Sequence, residues 1–230
     1  MNLQQIVIQT SFELYERQTH ITSFLLLIVL FCSSIIGIGR INNPQFFSIL
    51  CRAFFRFKTK ENSLGEVNRL SALANFGLML NFVIAINLCF FLLFFNGSKI
   101  LSSFYLALAL SFIYILIHQI GFRLASIFSG QSVIKENISL ITSQIWFFGG
   151  IIFLVLALFW ILNMRMSLFF SVVFLLLLSL FTLVRIVKGL LFAYRHRISW
   201  YYIFLYICSL EVLPLFAIYR FIKMYLKIEL

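Results

Sequence analysis

Aspartate is absent from this chain of 230 residues, and its seven acids are all glutamate. No DxxD-type metal site can therefore exist. His20, His118 and His196 fall at one face, in the inner half and in an inner loop of the topology derived below, too far apart to converge on a metal. The chain has no HExxH, no paired carboxylates on adjacent turns of an apolar run, no Gly-rich phosphate loop and no Ser-His-acid set at one depth. These absences disfavour an enzyme and call for no cofactor. Cys32, Cys51, Cys89 and Cys208 are scattered without a CxxC spacing, so they read as small hydrophobes rather than a disulfide or metal framework. Proline occurs only twice, and charged residues make up 11% of the chain, too few to clothe a water-soluble fold.

What is present is apolar. With 63% hydrophobic residues and a mean hydropathy of +1.06, the chain belongs in a bilayer. Apolar runs of about 20 residues, enough to cross a hydrocarbon core roughly 30 Å thick, lie near 21–39, 71–95, 100–118, 143–162, 167–184 and 199–219. The first is expected to stay as a helix rather than be cleaved as a signal peptide, because Glu13, Glu16 and Arg17 precede it in place of a basic leader. Asn96-Gly97-Ser98-Lys99 and Asn163-Met164-Arg165-Met166 are brief connections with turn chemistry, which predicts that the helices they join are antiparallel neighbours. The expected fold class is all-α: a polytopic transmembrane helix bundle of about six spans, forming one integral membrane domain over 1–230.

Orientation follows from Lys and Arg. The connections 40–70, 119–142 and 185–198 carry Arg40, Arg52, Arg56, Lys58, Lys60, Arg69, Arg123, Lys135, Arg185, Lys188, Arg195 and Arg197. The opposite side receives Arg17, Lys99 and Arg165, joined by Arg220, Lys223 and Lys227 if the last span crosses fully. The positive-inside rule places the richer side in the cytoplasm and the N-terminus outside. A last helix that breaks at Pro214 and turns back would return the three C-terminal cations to the cytoplasm, so full crossing and a re-entrant end both stay open. A net charge of +11 spread over topogenic loops does not point to nucleic acid.

The first cytoplasmic connection predicts a basic amphipathic helix over about 44–60. Phe47, Leu50, Phe54 and Phe57 recur at helical spacing, while Arg52, Arg56 and Lys60 stand at i, i+4 and i+8 on another face, with Lys58 nearby. Such a helix should lie in the interface, its Phe face in the acyl boundary and its cations on anionic headgroups. Docking of a protein partner is the other use of such a surface.

Polar residues at bilayer depth are costly and mark candidate sites. Glu211 is the only carboxylate deep inside an apolar segment, three residues before Pro214, which deprives the Leu210 carbonyl of its helical partner. Counted at about 1.5 Å per residue from the cytoplasmic ends, Glu211 lies about 18 Å up the sixth span, and Asn81 and Asn87 about 17 and 25 Å up the second. A contact between those spans would satisfy the acid. His118, Arg123, Gln144 and Arg185 belong to the cytoplasmic half, where they form a second polar layer or snorkel to the headgroups.

The run Tyr202-Ile203-Phe204-Leu205-Tyr206-Ile207-Cys208-Ser209-Leu210-Glu211-Val212-Leu213-Pro214-Leu215, followed by Tyr219, resembles the most recognisable stretch of a multi-pass inner-membrane family of Bacteroidota defined only as a domain of unknown function, DUF4271-like. The resemblance implies a bacterial inner-membrane location and a shared Glu-x-x-Pro element, and it brings no activity with it. Two functions then fit. One is a non-catalytic subunit or assembly or regulatory factor of a membrane complex, serving export or envelope biogenesis, with other membrane-protein subunits as partners. Gly149-Gly150 and Ser/Ala positions that permit close helix approach favour it. The alternative is a small proton- or cation-coupled transporter using Glu211 at a helix break. On topology, cysteine labelling should find Lys58 and Arg195 positions accessible from the cytoplasm and the Lys99 position from outside, and external labelling at Lys58 would overturn the arrangement.

Overall fold

In a computed structural model, the described residues are 19–42, 45–55, 72–95, 100–129, 132–195 and 220. They form α1 (Thr19–Asn42), α2 (Phe46–Phe55), α3 (Ala72–Phe94), α4 (Ile100–Ser129), α5 (Ser132–Leu162), a single 3-10 turn (Met164–Met166) and α6 (Ser167–Arg195). The protein is an all-α helical bundle. Four stretches within it, Ile21–Ile41, Ala74–Phe94, Thr142–Leu162 and Met164–Leu191, are long and apolar enough to cross a membrane, and α4 carries a shorter apolar stretch, Ile100–Leu116. Helices are what such sequences must form in lipid, where each backbone group needs a partner within its own segment. The expected sixth span, 199–219, lies outside the described residues.

Several helices outrun their apolar cores. The connection expected at 119–142 is largely helical, since α4 continues to Ser129 and α5 already begins at Ser132. Likewise α6 continues beyond 184 to Arg195. No proline interrupts these polar extensions, so the hydrogen-bond ladder simply propagates into them. The two short hairpins are closed by side chains. Ser103 Oγ in α4 donates to the Phe94 carbonyl at the end of α3, 2.7 Å away. Asn163 donates from its backbone N–H (3.0 Å) and from Nδ2 (3.1 Å) to the Phe159 carbonyl, satisfying an orphan acceptor at the end of α5.

At the centre α3 packs along α5, and α5 touches every other described helix. Close approach is set by glycine. A Cβ built on Gly150 would stand 2.9 Å from Phe82 Cα and 3.1 Å from Asn81 Nδ2, so any larger residue pushes the two backbones apart. Around this point the Phe82 ring stacks on Trp146, with centroids 5.3 Å apart and planes 6° from parallel, and Cys89 Sγ donates to the Phe153 carbonyl at 3.5 Å. Phe153 then meets Phe174 and Phe181 of α6 edge-on. The same principle joins α1 to α3, where Gly77 makes room for Ile35.

The α2 helix lies differently from the sequence expectation. It does not offer the Phe47/Leu50/Phe54 face to the acyl layer. Phe46 and Leu50 are buried against Leu78 and Phe147, with the Phe46 ring close on Gly39, while Phe54 stacks on Phe148 at 4.3 Å. Phe47 is exposed and carries the Arg40 guanidinium above its ring. The cause is that Phe46, Leu50 and Phe54 recur at i, i+4 and i+8 and form the narrower stripe, which the bundle covers. Arg52 is exposed, and Arg56, Phe57, Lys58 and Lys60 lie outside the described residues.

Gly150→Ala should lower the unfolding midpoint in mild detergent, by about 1 to 3 kcal/mol of stability as for other overpacked cores. Gly37→Ala provides the control, because nothing lies within 4 Å of a Cβ there. Equal midpoints for the two variants would refute the close α3–α5 contact.

Candidate functional site

The polar groups of the bundle interior stand in tiers. At the α3–α5 contact stands Asn81 of α3, 0% exposed, wedged against Gly150. Among the described residues neither its Oδ1 nor its Nδ2 has a hydrogen-bond partner, and the same holds for Asn75 Oδ1 two turns away on α3. An orphaned buried amide costs on the order of 1 to 3 kcal/mol. Asn87, the other asparagine expected to face the acid, is half-buried.

The next tier joins α5 and α6. The Phe148 and Phe181 rings, 6.4 Å apart, fix the register of these antiparallel helices. One turn further toward the α2 end stand Gln144 on α5 and Arg185 on α6, 5% and 6% exposed. Neither snorkels away from the bundle. Another turn along α6 comes Lys188, also 6% exposed, its Nζ 5.4 Å from the centroid of the Phe54 ring. This is a cation–π contact that joins α6 to α2.

The structure thus places Asn81, Gln144 and Arg185 inside the bundle within about two helical turns of one another. His118 and Arg123 sit on α4, far along the helix rather than at its end, and their side chains are outside the described set. Glu211 and Pro214 also lie outside the described residues. Lys188 was legible only as a topogenic charge. The signal that could have singled it out is the three-residue step Thr182, Arg185, Lys188, which keeps all three on one broad face of α6 beside the buried Leu178 and Phe181. Chemically the arrangement offers amide groups and two cations, a set suited to holding an anion or hydrogen-bonding a carboxyl group. Among the described residues no group of three His, Cys, Asp or Glu side chains is placed to hold a metal.

Fold and site together define a polytopic helical membrane protein with a buried polar layer near one end of the bundle. A family model described as "Domain of unknown function (DUF4271)" matches residues 24–222, and the chain belongs to that family. Neither the curated proteins nor the solved structures contain a match.

Asn81→Ala tests the state of the tight amide. Because the amide has no partner among the described residues, its loss should offset much of the small cavity created, leaving stability within about 1 kcal/mol of wild type. Chemical denaturation in detergent would measure it. A loss above about 2 kcal/mol means that the amide holds a hydrogen bond worth keeping.

Proposed function

We propose that this protein is a non-catalytic, multi-pass protein of the bacterial inner membrane, N-terminus outside, acting as a subunit or assembly factor of a membrane complex, with export or envelope biogenesis as the processes it would serve. The observation that carries this reading is the arrangement around α5. That one helix contacts every other described helix and is locked to α3 by backbone proximity at Gly150. Secondary transporters work by rocking one repeat or bundle against another, whereas a single hub favours a rigid body that other subunits assemble on. The Gly149-Gly150 pair, read from sequence as an aid to close helix approach, is used within the chain, against Phe82 and Asn81. Partner helices must therefore be received elsewhere. The inner-membrane location rests on the family resemblance of the 202–219 run and on the basic connections.

A second reading keeps a specific observation of its own. The fully buried Asn81 amide would suit a site that takes up a proton or cation together with Glu211.

Gentle-detergent purification followed by mass spectrometry separates the two, with stoichiometric membrane partners expected. A lone monomer or homodimer would instead favour transport. Substitution of the acid gives an independent check. In the subunit reading Glu211→Gln keeps shape and hydrogen bonding and should be nearly silent, while Glu211→Leu should weaken assembly. Loss of cellular function in a folded, inserted Glu211→Gln protein would favour ion coupling.

A further inference from the structure

Helix α2 has three faces. The buried Phe46 and Leu50 define the one packed on the bundle, and Phe54 stacks on Phe148 at its edge. A second face, centred about 120° round the helix, carries Phe47, Cys51 and Phe55 at i, i+4 and i+8, all three exposed. Ser48 and Arg52 make the third, about 80° further on, and they are exposed as well. A short helix with only protein and water for neighbours gains nothing by leaving two large rings open, since water is the costly medium for apolar surface.

The level at which α2 crosses the bundle says which medium covers the second face. Its Phe46 meets Leu78, four residues inside the Ala74 end of the α3 span, and its Phe54 meets Phe148, six residues inside the Thr142 end of the α5 span. Those steps correspond to roughly 6 and 9 Å, and an interfacial helix buries its apolar face about 5 to 10 Å into the boundary between headgroups and acyl chains. Ile38 and Ile41, at the end of the α1 span, are exposed too. Between them Arg40 holds its guanidinium 5.8 Å from the centroid of the Phe47 ring, which ties the end of that span to α2. A ring and a cation held together at this depth make an interfacial anchor, the ring among acyl chains and the charge at the headgroups.

We infer that the Phe47–Cys51–Phe55 face of α2 is a lipid-contact surface lying in the acyl boundary of one leaflet, with Arg40 and Arg52 at its anionic headgroups. Helix α2 then rests on protein with one face, on lipid with the second and on water with the third, and so fixes the depth of its end of the bundle. Anionic lipid is the matching occupant because the two cations flank the apolar stripe on either side. This face is not the one expected from the sequence, in which Leu50 and Phe54 shared the acyl layer with Phe47. The inference rests on the membrane reading above but on neither its orientation nor any partner subunit, so a chain purified without partners would leave it standing.

The experiment attaches a nitroxide at Cys51 of the full chain, with Cys208→Ser removing one other thiol while Cys32 and Cys89 stay enclosed in the bundle. A second label sits at Ser48→Cys in a Cys51→Ser/Cys208→Ser chain. Both are placed in nanodiscs of phosphatidylcholine and phosphatidylglycerol, and collisions are measured with oxygen, which partitions into lipid, and with a water-soluble nickel chelate. The oxygen-to-nickel ratio is expected to be several-fold higher at Cys51 than at Ser48→Cys. Equal ratios would put the stripe in water and overturn the inference. Low collision rates with both reagents at Cys51 would mean that a protein surface covers it, another copy of the chain or a partner, and would overturn it equally. Omitting phosphatidylglycerol is expected to shift the Cys51 label toward water, and Arg40→Gln/Arg52→Gln to abolish that dependence. No dependence in the parent chain, or the same dependence in the double variant, would overturn the headgroup assignment. The comparison of Cys51 with Ser48→Cys needs neither arginine variant, so it decides the lipid contact even if the double variant does not fold.

Discussion

Everything in this bundle is arranged around one close approach, that of α3 to α5 at Gly150. Lipid gives no hydrophobic reward for bringing apolar helices together, so association depends on dispersion contacts that only close packing supplies. A missing side chain at Gly150 allows Phe82 and Asn81 to come against the α5 backbone. The parallel stack of Phe82 on Trp146 and the thiol hydrogen bond from Cys89 to Phe153 then extend the contact along both helices. With this pair in place, α1, α4 and α6 are laid around it, and their outer faces keep the large apolar residues that suit lipid contact, such as Leu30, Phe112 and Leu176.

The polar interior is a consequence of the same geometry. Asn81 is buried because the residue next to it, Phe82, is the one that meets Gly150. A helix pair packed this tightly has no room to turn an amide outward, so the amide stays at a cost set by what can hydrogen-bond to it. Arg185 and Lys188 are enclosed for a different reason. They follow the inward face of α6, begun by Phe174, Leu178 and Phe181, beyond the end of the apolar run. The protein thereby brings charge under cover at the level where α2 crosses.

That crossing makes α2 part of the bundle. Phe46 and Phe54 reach the core at two separate points, one near α1 and α3 and the other near α6. Any change in how α2 sits would be felt at Lys188 through the ring of Phe54. A short helix held at both ends by aromatic contacts resists sliding, because each ring occupies a space of its own shape.

The class of the elements was readable because a bilayer imposes a length scale. Apolar runs of about 20 residues must become helices, and the turn residues at Asn96-Gly97 and Asn163 mark where adjacent ones reverse. Hydropathy could not show where α4, α5 and α6 stop, since the backbone ladder does not end where apolar side chains do. The sequence also could not choose between Phe46 and Phe47 as the buried ring of α2, because adjacent aromatics are equally apolar and only the surface opposite selects one. Asn81, Gln144 and Arg185 were visible as polar residues in or beside apolar runs, while the enclosure of Lys188 was not, since at the end of a span a cation snorkels or is covered depending on what packs against it. By itself the sequence determined a membrane-embedded, all-helical chain and its candidate polar positions, because transfer of side chains from water to lipid is a local, additive property. Only the tertiary structure decided that Gly150 serves α3, that α2 packs on protein, and that two cations of α6 are enclosed, one of them beside the Phe54 ring of α2, because those outcomes depend on which surfaces meet.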